Sequence, residues 1–241
     1  MHLFNSPESV PYARMTGAFY LGIAIAGGFS IAYVPSQIVV PGDGAASLAN
    51  ILSRTGLYYG GIAGDVIVMI FEIMALSMLY FMFKGVSPTL SLAAAMSRLS
   101  MVSVMSAMLF FHAGAQALAM DGTVLGSFSL DQRADLAGLF LYLNAAGVWI
   151  WQIFFSLHLV LLGTLVLRSG RFPALLGLGL IIGGTGYLAD SIYAFAFPEA
   201  AWLGTLRIGL LAIVTLSEVG FALWLLIRGQ RQAPVPRAQV A

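Results

Sequence analysis

Apolar runs of membrane-spanning length alternate with short polar segments along this chain. A transmembrane helix needs about 20 consecutive apolar residues, and six runs meet that requirement. Pro35, Lys84-Gly85 and Pro198 are expected to end three of the helices. The predicted helices are Met15–Val34, Leu57–Phe83, a helix from Pro88 to about His112 or beyond, one from roughly Leu130 to Leu167, Pro173–Phe197 and about Ala200–Ile227. The pattern predicts an all-α fold, a polytopic transmembrane helical bundle with six transmembrane helices.

Two polar segments carry further helix signals. Ser129 and Gln132 have the spacing of a capping box, in which each side chain bonds to the other residue's backbone N–H at a helix N-terminus. In the first long loop, Ala45–Ser53 has its apolar residues clustered towards one side. We interpret it as a short interfacial helix, and a lid over a site is the alternative.

Pairs of glycines four residues apart recur in the predicted helices. Gly60 and Gly64 lie in the second helix, and Gly179 and Gly183 lie in the fifth. Small residues at this spacing let two helix backbones approach closely. These pairs therefore predict tight helix packing.

Most basic residues of the loops fall on one side of the predicted topology, and only Arg54 and Arg133 fall on the other. Cytoplasmic loops of membrane proteins carry an excess of Lys and Arg. Here that side contains Arg14, Lys84, Arg168, Arg171, Arg228, Arg231 and Arg237. The bias predicts that both termini are cytoplasmic. Residues 1–13 are then a cytoplasmic segment, residues 14–228 form a single six-helix transmembrane domain, and residues 229–241 form a disordered cytoplasmic tail.

The composition supports a membrane location and narrows the partners. The chain is 60% hydrophobic and 9% charged, with a mean hydropathy of +0.93, whereas soluble domains carry about 25% charged residues. The net charge of +1 gives no basic surface for nucleic acid. The absence of cysteine excludes disulfides and thiolate metal sites. We expect membrane lipids as partners and a small-molecule ligand as a further one, and the oligomeric state stays open.

Several short segments are arranged as in a known family. They are Ala13-Arg14-Met15-Thr16-Gly17, Val40-Pro41-Gly42-Asp43, Leu157-His158 with Gly163 and Arg168-Ser169-Gly170, Gly186-Tyr187-Leu188-Ala189-Asp190, and Glu218 with Trp224-Leu225-Leu226. Over nearly its whole length the chain resembles the bacterial integral-membrane family catalogued as domain of unknown function 4386. The resemblance implies a small multi-pass protein of the bacterial inner membrane, and it implies no activity.

Ionisable and polar side chains inside the spans are the candidates for a functional site. Each ionisable group costs about 2.5–3.5 kcal/mol on insertion, so such groups usually face the bundle interior or a water-filled cavity. Helix rise places one layer roughly 15–18 Å from the cytoplasmic end. That layer contains Glu72, Arg98, His158 and Glu218. A second layer, roughly 24–29 Å from the same end, contains Asp65, Gln152 and Asp190, with Arg207 slightly further out.

Three functions are compatible with these layers. The first is binding or transport of a small, partly apolar ligand in an outward-facing cavity, with Tyr187, Asp190 and Arg207 at its entrance. The second is an intramembrane enzyme in which His158 is the acid/base, because imidazole exchanges protons near neutral pH, and Glu72 or Glu218 is its partner. The third is a structural or regulatory subunit in which the charges are simply paired.

The histidines and methionines of the predicted helices give no reason to expect a haem or metal cofactor. His112 and His158 are roughly 20 Å apart along the membrane normal, which argues against a haem held by both, and His112 is expected to have a structural role near the outer interface. A zinc site at His158 would place the cation beside Arg98. Met101, Met105 and Met108 have a spacing that suits Cu(I), but flexible packing is the commoner role of methionine. The chain has no phosphate-binding loop and no nucleophile elbow.

Overall fold

The regular structure of this protein is helical throughout the part of the chain that is described. The computed structural model describes residues 6–120 and 125–231. Six spans in these residues are long and apolar enough to cross a membrane, which confirms the predicted all-α, six-span fold. They are Val10–Ile38, Thr55–Phe83 (α4), Pro88–Met120 (α5), Leu130–Ser169 (α6), Ala174–Ala196 (α7) and Ala201–Ile227 (α8). The cytoplasmic position of the termini stays a prediction.

The first span continues beyond the proline that was expected to end it. It consists of α1 (Val10–Gly27), a π-helical stretch (Gly28–Tyr33) and α2 (Val34–Ile38). Proline normally interrupts a helix because it lacks an N–H and its ring collides with the preceding turn. Here Val34 N–H bonds to the Phe29 carbonyl, five residues back, so the turn before Pro35 is wider than an α-turn. The expectation that Pro35 stops this helix is therefore wrong.

Both predicted helix starts in the polar segments are present. The Ser129 N–H donates to Gln132 Oε1 at 2.9 Å, and the Gln132 N–H donates to Ser129 Oγ at 3.2 Å, as the capping box at the start of α6 requires. The short helix α3 covers Gly44–Ser53, and the Asp43 carboxylate accepts from the Ala46 N–H at 2.8 Å as its N-cap.

The chain forms two compact units, each assembled from segments of several helices. The first unit comprises Met1–Leu21, Met74–Leu99 and Ile153–Ala241, and the second comprises Gly22–Ile73 and Ser100–Gln152. The first span, α4, α5 and α6 each contribute residues to both units, whereas α7 and α8 belong to the first unit. The two units are described separately below.

In the first unit, glycines bring α7 close to its neighbours. A Cβ added at Gly183 would lie 2.5 Å from the Val214 backbone nitrogen of α8, and one added at Gly163 would lie 2.6 Å from the Gly177 carbonyl oxygen. The predicted close packing at Gly183 is therefore confirmed. Only a residue without a side chain permits these backbones to meet.

The two ends of the described chain are tied together within the first unit. The Arg171 guanidinium donates to the Met82 carbonyl at 3.1 Å and to Gln230 Oε1 at 3.2 Å. The Gln230 amide in turn donates to the Pro7 carbonyl at 2.6 Å. Residues 232–241 of the predicted disordered tail lie outside the described residues.

The second unit packs α3 into its core with part of the first span and with α4, α5 and α6. Its buried cluster consists of Val34, Ile38, Ile51, Tyr58, Ala115 and Leu141. Gly44, the first residue of α3, lies against the Ala134 carbonyl and the Gly138 backbone of α6. The predicted short helix is thus packed into the core of this unit through buried residues such as Ile51, at 0% exposure. An interfacial helix held only at the surface would not have these contacts.

Candidate functional site

Three members of the predicted inner layer come together in the first unit. Arg98 is completely buried, at 0% exposure, and its Nη1 lies 3.0 Å from His158 Nε2. The guanidinium carbon lies 4.5 Å from the centre of the Tyr20 ring. An aromatic face attracts a cation at this distance. Arg98 is therefore held by an imidazole and by aromatic rings.

Glu218 joins this cluster through two tyrosines. Tyr20 donates to Glu218 Oε1 at 3.5 Å, and Tyr187 donates to Glu218 Oε2 at 3.1 Å. Phe155 stacks on the His158 ring at 5.7 Å and contacts the Tyr187 ring at 5.2 Å. The charged groups of this cluster are thus surrounded by hydrogen-bond partners and aromatic rings.

His158 has a partner at each ring nitrogen. Nδ1 lies 2.8 Å from the Ala94 carbonyl oxygen, which can only accept a hydrogen bond, so this nitrogen carries the proton. Nε2 then accepts from Arg98. Neither partner among the described residues is a carboxylate. The geometry of a general acid/base bonded directly to Glu72 or Glu218 is therefore not formed.

The predicted entrance residues Asp190 and Arg207 form an ion pair in the first unit. Asp190 is 6% exposed, and the Arg207 guanidinium carbon lies 4.1 Å from the centre of the Tyr193 ring. Both charges thus have partners within the protein.

The remaining predicted site residues belong to the second unit. Glu72 and Gln152 are buried, at 3% and 6% exposure, and both make interactions within the protein. Asp65 differs from them, because it lines a cavity of about 230 Å³. Its Oδ1 is buried and has no hydrogen-bond partner among the described residues.

Asp65 faces a histidine across this cavity. His112 Nε2 lies 3.9 Å from Asp65 Oδ2, which is too long for a hydrogen bond. His112 Nδ1 lies 3.1 Å from the Tyr58 hydroxyl, and that hydroxyl donates to the His112 backbone carbonyl at 2.8 Å. Ser30 Oγ is buried and close enough to the Asp65 carboxyl group to interact with it, but no hydrogen bond of ordinary geometry joins them. These four polar side chains therefore lie together in one part of the wall, which we call the polar end of the cavity.

Most of the remaining wall is apolar. Met105 and Met108 of α5 and Trp149 of α6 line it, together with Ile62 and Val148. Thioether and aromatic side chains adapt to irregular apolar ligands. The cavity thus combines one polar end with an apolar body, which is the usual character of a small-molecule site.

A groove of about 490 Å³ adjoins the cavity beside α3. The cavity and the groove share Val39, Leu141 and Ala145 as lining residues. Asp43 and Asp135 also line the groove, and both side chains are exposed. The groove is therefore acidic and shares part of its wall with the cavity.

Sequence reasoning missed most of the cavity. It identified Asp65 but gave His112 a structural role and did not consider Tyr58, Ser30 or Trp149. A signal was available, since Met105, Met108 and His112 have the spacing of one helix face. Tyr58 and Asp65 are likewise seven residues apart on one face of α4. Those two faces meet in the second unit.

The apolar spans, the helical fold and the internal polar groups define a multi-pass helical membrane protein. The chain belongs to the family described as Domain of unknown function (DUF4386), whose model matches residues 15–229. This confirms the resemblance drawn from the sequence. The chain is also 26% identical, over 174 residues, to a protein of Archaeoglobus fulgidus described as uncharacterized, and the match covers 72% of this chain and 86% of that protein. No solved structure gives a significant match.

Proposed function

We propose that this protein binds a small, partly apolar molecule in the cavity of the second unit and serves as a binding or transport protein in the membrane. The observation that carries the proposal is the unsatisfied polar end of the cavity, formed by Asp65 Oδ1 and Ser30 Oγ. A buried polar atom without a partner costs about 1–3 kcal/mol. A ligand that bonds to these atoms offsets that cost.

The size and lining of the cavity support a small ligand. Its volume of about 230 Å³ lies below the roughly 300–1,000 Å³ typical of sites for drug-sized molecules. The apolar wall around Met105, Met108 and Trp149 suits the body of such a ligand, and the polar end fixes its orientation.

The buried charges of the first unit have a different role in this proposal. Arg98 donates to His158, and Glu218 accepts a hydrogen bond from Tyr187. Asp190 pairs with Arg207. Such networks fix the packing and register of helices. An enzymatic role for His158 receives no support, because both of its ring nitrogens bond to groups of the protein that are not carboxylates.

The direction of access follows from the predicted topology. The bias of Lys and Arg assigns both termini to the cytoplasm, so α3 and the acidic groove face the opposite side. We propose the inner membrane of a bacterium as the location, on the basis of the family resemblance. Ligand then enters from the outer side.

Filling the cavity tests this proposal. Ala145 lines both the cavity and the groove, so Ala145→Phe reduces the space. Ile150→Phe on the same helix is the matched control, because Ile150 is 44% exposed and does not line the cavity. The proteins are extracted with their native lipids into nanodiscs, and the bound small molecules are measured by mass spectrometry.

The expected result is a molecule that co-purifies with the wild type and with Ile150→Phe but is lost from Ala145→Phe. Equal unfolding midpoints of the two variants show that the loss does not come from misfolding. An identical set of bound molecules in all three proteins would contradict the proposal.

A further inference from the structure

The hydrogen-bond donors and acceptors in the wall of the cavity indicate the chemical class of the molecule that it binds. This inference rests on the proposed function and deepens it. We propose that the ligand carries a primary or secondary ammonium group, held between the Asp65 carboxylate and His112 Nε2, with its apolar body against the methionine and tryptophan side chains. The acidic groove is its approach.

The first step is the protonation of His112. The Tyr58 hydroxyl has one hydrogen, which it donates to the His112 backbone carbonyl at 2.8 Å. It must therefore accept at its other contact, from His112 Nδ1 at 3.1 Å. A neutral imidazole with its proton on Nδ1 presents a lone pair at Nε2. In this neutral form, the nitrogen that faces Asp65 is an acceptor.

The second step is the shortage of donors at the polar end. Asp65 Oδ1 has no partner among the described residues, and Oδ2 is 3.9 Å from the nearest histidine nitrogen. The Ser30 hydroxyl supplies a single hydrogen. A carboxylate offers several acceptor positions, so Asp65 can accept further hydrogen bonds from N–H or O–H groups that a ligand supplies.

The third step is charge. Within the described residues, the side chains that line the cavity and the groove include Asp65, Asp43 and Asp135 but no Lys or Arg. A carboxylate in a low-dielectric site without a countercharge is costly. A cationic ligand removes that cost, and the two acidic groove residues raise its local concentration by attraction.

The fourth step is geometry. A nitrogen set to the side of the line that joins Asp65 Oδ2 and His112 Nε2, which are 3.9 Å apart, can donate to both at ordinary lengths of about 2.7–3.2 Å. An ammonium group with at least two N–H bonds meets this need, and a hydroxyl group meets only half of it. Aromatic faces such as those of Trp149 and Tyr58 favour an adjacent cation as well.

A matched pair of probes tests this inference. Benzylamine and benzyl alcohol share the aromatic body and differ in the group that reaches the polar end. Binding of each is measured by calorimetry on the full chain in nanodiscs, for the wild type, Asp65→Asn and the control Asp131→Asn. Asp131 is an exposed acidic residue that does not line the cavity or the groove.

We expect the wild type and Asp131→Asn to bind benzylamine at least tenfold more tightly than benzyl alcohol. Asp65→Asn should lose that preference and still bind benzyl alcohol, which shows that its cavity is intact. Potassium and copper(I) ions are added as competitors. Displacement of benzylamine by either metal ion alone, at equal or lower concentration, would overturn the assignment to an amine.

The outcomes separate the two proposals. Equal affinity of the wild type for both probes would overturn the ammonium inference and leave the binding function in place. Binding of neither probe, in the wild type at any soluble concentration, would contradict the binding function and the inference together. A benzylamine preference that persists in Asp65→Asn would overturn the inference alone.

Discussion

One buried cluster in each unit of this protein contains charged groups, and the two clusters differ in how the protein satisfies them. In the first unit, Arg98 and Glu218 are enclosed by an imidazole, two tyrosines and a phenylalanine, and Asp190 has its own arginine. In the second unit, Asp65 and His112 face each other across a cavity without a hydrogen bond between them. The difference teaches that burial of charge alone does not identify a binding site. An acceptor that the protein leaves unsatisfied beside a cavity is the more specific sign.

The largest effect is expected from removing the arginine of the first unit. Arg98→Met leaves the buried His158 Nε2 without its donor and the Tyr20 ring without its cation, so the free energy of unfolding should fall by about 3 kcal/mol. The control is Arg168→Met, at an exposed arginine. Unfolding is followed by thermal melting in detergent. Equal midpoints for both variants would show that the cluster does not stabilise the first unit.

Removal of charge from the second unit should have the opposite consequence. Asp65→Asn eliminates a carboxylate that the protein does not satisfy, so the ligand-free variant should be as stable as the wild type or more stable, within about 1 kcal/mol. The same melting assay, after extensive detergent washing to remove ligand, makes this measurement. A loss of stability as large as that of Arg98→Met would mean that Asp65 has a structural partner, and the contrast between the units would fail.

The smallest effect is expected at the groove. Asp43→Asn combined with Asp135→Asn removes the acidic approach, and asparagine still caps α3. The association rate of benzylamine should fall several-fold at low salt, and the difference should shrink as ionic strength rises. Rapid-mixing fluorescence can follow this rate. A decrease that does not depend on salt would argue against electrostatic attraction by the groove.

The pattern of apolar residues was sufficient to predict the fold of this chain. Helix length and composition are local properties, so all six spans and the short helix α3 were predicted near their observed bounds. The error at Pro35 arose because a π-helical stretch widens the preceding turn. Nothing in the local sequence specifies that widening.

The candidate site was much less predictable. Depth along a helix does not show which side chains meet, and Asp65 and Asp190, which share a predicted layer, belong to different units. The choice between a satisfied charge and an unsatisfied one depends on side-chain directions and on neighbours distant in sequence. Arg98 and His158 are 60 residues apart, and Tyr58 and His112 are 54 residues apart. Spacing within one helix cannot specify such contacts.

The measurement that tests the central claim most directly is a high-resolution cryo-EM map of the wild type extracted with its native lipids. The account predicts non-protein density in the cavity of the second unit, within hydrogen-bond distance of both the Asp65 carboxylate and His112 Nε2. It also predicts that no ligand contacts Arg98. A map in which Asp65 and His112 bond directly to each other, with the cavity closed around them, would contradict the account.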